Sequence, residues 1–104
     1  MTREEIRKEL LGPRRVETLT HGTLVFEVVV PLMSDVERAI RLSNERQRDA
    51  FLTWKCLRKE GVPVFDSLEE VLDLDAERSR LVDACAKKIR EMIQPVVAAE
   101  PPKG

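Results

Sequence analysis

The segment from Val16 to Val30 is the part of this chain that most restricts its possible fold. It is rich in β-branched residues on both sides of His21-Gly22, a pair typical of a tight turn. Pro31 ends the pattern because proline cannot donate a hydrogen bond to a strand ladder. Before and after this segment, apolar residues recur three or four positions apart, which is the spacing of helices. The sequence therefore predicts one β-hairpin in an otherwise helical chain.

The register of this hairpin depends on the length of its turn. A three-residue turn would place Val16 on the same face as Leu24, Phe26 and Val28, whereas a two-residue turn matches the apolar pattern less well. The pattern therefore favours the three-residue turn.

Helix starts are indicated by serine or threonine followed three positions later by glutamate, because the two side chains can each bond a free backbone amide of the first turn. The chain carries this pattern at Thr2–Glu5, Ser34–Glu37 and Ser67–Glu70. A short N-terminal helix is expected to stop at Gly12-Pro13, and a last amphipathic helix to cover Leu81 to Ile93.

The longest helical segment runs from Asp35 to about Lys59. Its centre at 43–46 is polar and rich in cap-like residues, so the segment is either two helices or one helix with a weak centre. We expect it to end in a basic turn at Gly61, before an extended link at 62–65. Its expected inward stripe is spaced three and four apart and contains Val36, Ile40, Ser43, Gln47, Ala50 or Phe51, Trp54 and Leu57.

Composition limits the class of protein. The chain has 104 residues, 42% of them hydrophobic, which predicts a single folded domain over residues 1–94 and a disordered tail over 95–104. The fold class expected is α+β, mainly α, with the N-terminal hairpin packed on three or four helices. A net charge of −1 argues against a nucleic-acid binder. No apolar run has the length of a membrane helix, and the N-terminus lacks a signal peptide's apolar segment, so a cytoplasmic protein is expected.

Residues suited to catalysis are few. The single histidine, His21, lies in the expected turn without a neighbouring metal ligand. Cys56 and Cys85 form no paired motif, and no base is positioned near either, so both are expected to be small buried hydrophobes. The sequence predicts neither an enzyme nor a bound cofactor or metal.

Binding features are concentrated near residue 60. Phe51 and Trp54 share one helix face, and Phe65 is expected to anchor the extended link on the helices. Both helical aromatic residues are either part of the core or an exposed pair of the type enriched at interfaces. We expect a partner-binding groove between the Asp35–Lys59 segment and the last helix. The candidate partner-binding residues are Phe51, Trp54, Leu57, Val64 and Phe65.

Two phrases give the chain a family resemblance. The first is Val29-Val30-Pro31-Leu32-Met33-Ser34-Asp35-Val36-Glu37-Arg38-Ala39, directly after the hairpin. The second runs from Arg58 through Gly61 to Ser67 and is followed by a capped helix and a final amphipathic one. In this order the features resemble the tail assembly chaperones of long-tailed bacteriophages, over about residues 16 to 93. In the second phrase, the basic Arg58-Lys59 stands where the family pattern has an acidic pair.

The resemblance implies a function. Such a chaperone coats the tape-measure protein, keeps it soluble and recruits tail-tube subunits, and it self-associates. It would act in the cytoplasm of a bacterial host and be absent from the mature virion. The tape-measure protein is expected to be a long, hydrophobic helical rod, and the chaperone would bind it by helix-in-groove contact. Many weakly bound copies side by side along this rod would bind more tightly through avidity.

Two other classes of protein remain open. A small helical adaptor or regulator would bind one partner at fixed stoichiometry. A helix-turn-helix DNA binder could use the last two helices, since the expected connection at 73–75 is short. However, Asp83 and Glu91 lie among the basic residues of the last helix.

Overall fold

A computed structural model of the chain describes residues 1–93. The predicted tail at 95–104 lies outside this range. The elements in chain order are α1 Arg3–Leu10, β1 Val16–His21, β2 Leu24–Val29, α2 Met33–Ile40, α3 Glu45–Cys56, β3 Leu57–Lys59, β4 Val62–Pro63, α4 Leu68–Leu72 and α5 Arg80–Ile93. The predicted α+β class with mainly α structure is confirmed.

The strands form one antiparallel sheet in the order β1-β2-β3-β4. The first hairpin pairs His21 with Leu24, so its turn is the two residues Gly22 and Thr23. Gly22 has a φ of 63°, a left-handed conformation that glycine adopts without steric cost. The prediction of a three-residue turn was therefore wrong. Val16 pairs with Val29 and lies on the face opposite to Phe26.

A second, smaller hairpin replaces the predicted helix end and extended link. The helix ends at Cys56, and β3 pairs Leu57 with Val28 of β2. Two long-range bonds fix this hairpin: the Lys59 Nζ donates to the Val25 carbonyl at 2.9 Å, and the Gly61 amide donates to the Glu27 carboxylate at 2.9 Å. The basic residues before the glycine therefore belong to the sheet.

The Asp35–Lys59 segment contains two helices, which resolves the alternative left open above. Asn44 caps α3 by accepting a 2.8 Å bond from the Gln47 amide, so the polar centre ends one helix and starts another. The expected capping box at Ser34 is absent, because α2 begins at Met33 with Leu32 at the cap position and no side-chain cap bond. The other two signals are confirmed, with Thr2 capping α1 and Ser67 capping α4.

The core consists of two clusters that meet at one aromatic residue. The larger cluster joins the hairpin and β3 to α5 through Phe26, Val28, Cys56, Leu57, Cys85, Ile89 and Met92. The smaller joins α3, α4 and α5 through Ala50, Val71 and Val82. Phe65 packs against both clusters, which confirms that it anchors the segment after β4. The hairpin packs on α5, and α5 packs on α3, which also contacts α2 and α4.

Candidate partner-binding surface

The five predicted partner-binding residues do not form one surface. Leu57 is fully buried and Phe51 is buried, so both belong to the interior and offer no surface to a partner. Helices α3 and α5 pack directly on each other, and the pocket that both help to line contains none of the five predicted residues. The assignment of Phe51 and Leu57 to a partner-binding surface was wrong, because both side chains pack in the interior.

The other three predicted residues keep some exposed surface. The Trp54 ring lies edge-on to Phe51 with 5.5 Å between ring centroids, and the ammonium of Lys55 lies 4.1 Å from the Trp54 ring centroid. The side chain of Phe65 is half-buried, and Val64 is 37% exposed. Trp54 thus contributes to the smaller core cluster and is partly covered by a neighbouring cation.

Helix α2 exposes an apolar stripe that includes Ile40, a residue that the sequence assigned to the interior. Its buried residues are Asp35 and Ala39, one turn apart on the face toward the protein. Met33 is 79% exposed and Ile40 is 66% exposed, and Val36 between them is half-buried. Residues at positions i, i+3 and i+7 share a helix face, so these three form a stripe about 10 Å long that faces outward. The expected inward orientation of Ile40 was wrong.

A pocket of about 520 Å³ lies at the N-terminal end of this stripe. Leu32, Met33 and Ile93 line it and are each about half exposed or more. The other lining residues are Arg14, Arg15, Val30, Pro31 and Met92. Apolar pockets continuous with an apolar helix face are typical of sites that receive side chains of a partner helix. We call the pocket together with the α2 stripe the α2 surface.

Two arginines give the α2 surface a positive edge. The Arg14 guanidinium donates to the Val30 carbonyl at 3.1 Å. The Arg15 guanidinium donates to the Met92 carbonyl at 2.6 Å and lies 3.3 Å from the Glu17 carboxylate. These bonds hold the chain between α1 and β1 against the pocket. A guanidinium has five N–H donors, so donors remain for an acidic group at the rim.

A smaller pocket of about 240 Å³ lies at the other end of α5. Its walls come from α3, α4, α5 and the connection between α4 and α5, and consist of Arg46, Ala50, Val71, Leu72, Leu74, Ala76, Ser79 and Val82. None of the three predicted aromatic residues lines it. Its volume suits one large side chain and not a helix.

The α2 surface was not predicted from the sequence, because Val36 and Ile40 were assigned to the interior and the binding residues were sought among the aromatic side chains. The phrase Val29 to Ala39 carries the family resemblance and also supplies one wall of the pocket and the exposed helix face. Met33 directly after Pro31-Leu32 was a usable signal, because a large apolar residue at a helix start has little neighbouring structure to cover it. No local sequence signal indicates that Met92 of α5 lines the same pocket as Val30.

The two cysteines lie in the core. Burial raises the pKa of the Cys56 thiol to about 12 and that of Cys85 to about 11, so both stay protonated near neutral pH. Both are buried and free, as expected from the sequence. Among residues 1–93, no three His, Cys, Asp or Glu side chains are placed to hold a metal ion.

The connection between α4 and α5 disfavours a helix-turn-helix. Helix α4 has five residues, and residues 73–79 separate it from α5. A helix-turn-helix joins its helices by about three or four residues.

Within the described part of the chain, no helix has both the length and the apolar composition needed to span a bilayer.

Comparisons with protein-family models, with curated proteins and with solved structures found no match to this chain.

Proposed function

We propose that this protein is a tail assembly chaperone of a long-tailed bacteriophage, which binds the tape-measure protein, keeps it soluble and helps to recruit tail-tube subunits. The observation that carries the proposal is the α2 surface, where Met33 and Ile40 present an apolar stripe to solvent beside an apolar pocket. Several residues of the α2 surface belong to the segment Val29 to Ala39, which carries the family resemblance. The chaperone would act in the cytoplasm of the host and leave before the virion is complete.

The shape of the α2 surface suits an amphipathic helix. An apolar residue of the partner would enter the pocket, and residues one and two turns further along would lie on Val36 and Ile40. Acidic residues beside the partner's stripe would meet Arg14 and Arg15 at the rim. Binding would therefore cover the largest exposed apolar side chains of α2 without opening the core.

Methionine side chains explain how one surface would bind many sites along a rod. Met33 and Met92 both line the pocket. Methionine is unbranched and polarisable, and surfaces that contain it adapt to different apolar sequences. A chaperone that coats a long protein needs this tolerance, since successive segments of its partner differ. Many copies bound side by side would hold the rod more tightly than one copy alone.

The experiment is co-expression with the tape-measure protein of the same genome, with its soluble fraction as the readout. The unaltered chain is expected to keep it soluble. The double variant Met33→Asp, Ile40→Asp is expected to lose this effect, because two carboxylates would be buried against apolar partner residues. Val62→Asp is the matched control, since Val62 is also well exposed but lies on β4.

Two results would count against the proposal. One is a double variant that folds and keeps the partner as soluble as the unaltered chain does. The other is a soluble complex with one copy of this chain per partner, which would favour the adaptor class. Several copies per partner, measured by the mass of the purified complex, are expected for the chaperone.

A further inference from the structure

The two edges of the sheet differ in how well they are protected from pairing with another strand. The β4 edge has only Val62 and Pro63, and proline cannot donate to a further strand. The β1 edge has six residues, Val16–His21, in unbroken register with β2. It contains no proline, lysine or bulge, which natural edge strands use to prevent pairing, and its one acidic residue, Glu17, is paired with Arg15 and Lys88. Among residues 1–93, β2 is the only strand paired with β1.

The hydrogen-bonding direction along β1 follows from one bond. The Val30 amide donates to the Arg15 carbonyl at 2.9 Å, so the backbone N–H and C=O groups of Arg15 point toward β2. Backbone groups alternate in direction along an antiparallel strand. The backbone N–H and C=O groups of Val16, Thr18 and Thr20 therefore point away from β2, along the free edge. Their side chains are exposed and lie on the face opposite to Phe26.

We propose that β1 is a dimerisation edge at which a second copy of this chain adds its own β1 in antiparallel orientation, centred on Thr18. The exposed backbone groups would then bond Val16 to Thr20 of the second copy, Thr18 to its equivalent, and Thr20 to Val16. This register uses all three outward-facing residues of both strands. It places Glu17 opposite Leu19 and Arg15 opposite His21 of the second copy, so no acidic residue faces another.

Neighbouring registers are less favourable. A register centred on Glu17 places two carboxylates directly opposite each other, which is destabilising in an antiparallel pair. A register centred on Leu19 leaves the backbone groups of Val16 without a partner strand residue. The Thr18-centred register also places Val16 in a row between Val29 of its own sheet and Thr20 of the second copy, which would cover its exposed surface.

This pairing depends on the sheet alone and stands whether or not the chain binds a tape-measure protein. Arg15 borders both surfaces, but Thr18 belongs only to the β1 edge and Met33 only to the α2 surface, so variants at these two positions test different contacts. Because an edge contact buries little area, we expect a dimer whose population depends on concentration.

The test is analytical ultracentrifugation of the full chain over a range of concentrations. A species of twice the 11.9 kDa chain mass is expected to grow with concentration. Thr18→Lys places two ammonium groups opposite each other and should raise the dissociation constant at least about tenfold, with partial recovery at high salt. Thr23→Lys, in the turn, adds the same charge outside the contact and should leave the constant unchanged. Circular dichroism checks that both variants fold.

A cross-linking measurement gives the position of the contact. Residues directly opposite across a bonded antiparallel pair have Cα atoms about 5.5 Å apart, within the range that a disulfide spans. Thr18→Cys should therefore form a disulfide-linked dimer under mild oxidation, and Thr23→Cys should not. A monomer at every concentration, or equal cross-linking at the two positions, would overturn the proposal. The native cysteines are buried and do not compete.

Discussion

Helices α2 and α5 carry similar apolar stripes and use them in opposite ways. Along α5, Val82, Cys85, Ala86, Ile89 and Met92 are all buried against the sheet and α3. On α2 the buried residues are the small Ala39 and the charged Asp35, and the large apolar residues Met33 and Ile40 face solvent. Hydrophobic periodicity thus defines a stripe on each helix, but it does not say what the stripe will contact.

The difference follows from what surrounds each helix. The sheet and α3 both pack on α5, which leaves its apolar face no access to water. Helix α2 packs mainly on α3, through its face with the small alanine. A large apolar stripe on its other face has no covering element among residues 1–93. We interpret the stripe of α5 as the basis of stability and that of α2 as a surface for a partner.

The largest expected effect is on the free energy of unfolding, when an isoleucine is replaced by alanine in α5 and, for comparison, in α2. Ile89→Ala in α5 removes a fully buried side chain and should lower the free energy of unfolding by about 2–5 kcal/mol. Ile40→Ala in α2 removes an exposed side chain and should change it by less than about 0.5 kcal/mol. Urea unfolding followed by circular dichroism measures both. Similar losses for the two variants would mean that the α2 stripe is packed in solution.

A smaller effect on stability is expected from removing the N-terminal cap of a packed helix, α3, and of a helix without buried residues, α1. Asn44→Ala removes the cap of α3, which buries Ala50, Phe51, Thr53 and Cys56, and should cost about 1 kcal/mol of global stability. Thr2→Ala removes the cap of α1, in which no residue is buried.

Loss of the α1 cap should fray α1 and leave global unfolding unchanged. Urea unfolding gives the global value for both variants, and amide hydrogen exchange shows whether α1 has frayed. A global loss for Thr2→Ala equal to that for Asn44→Ala would show that α1 is part of the cooperative unit.

Local signals in the sequence predicted much of the fold. The β-branched run at 16–30 predicted the first hairpin, and Thr2 and Ser67 predicted two helix starts, because these features act within a few residues. The second hairpin was missed because β3 is three residues long and forms only by pairing with Glu27 and Val28 of β2. Such a pairing depends on tertiary contacts, which override local preference.

The candidate site was predicted less well than the fold. Aromatic residues were taken as the sign of a binding surface, but Phe51 is buried and Phe65 joins the two core clusters. In a chain with only four aromatic residues, these large side chains are needed for the core. The direction of the α2 stripe depends on which elements pack beside it, and that information is not local.

The most direct test of the α2 surface is site-specific photo-crosslinking to the tape-measure protein. A photoreactive amino acid would replace Met33 or Ile40 on the α2 surface, or Val64 beside the aromatic cluster, each in the otherwise unaltered chain. Positions 33 and 40 are exposed on one face of α2, and position 64 is exposed elsewhere. We predict covalent complexes from positions 33 and 40 and little product from position 64. Strong cross-linking from 64, with none from 33 and 40, would contradict the account and return the binding site to the aromatic cluster.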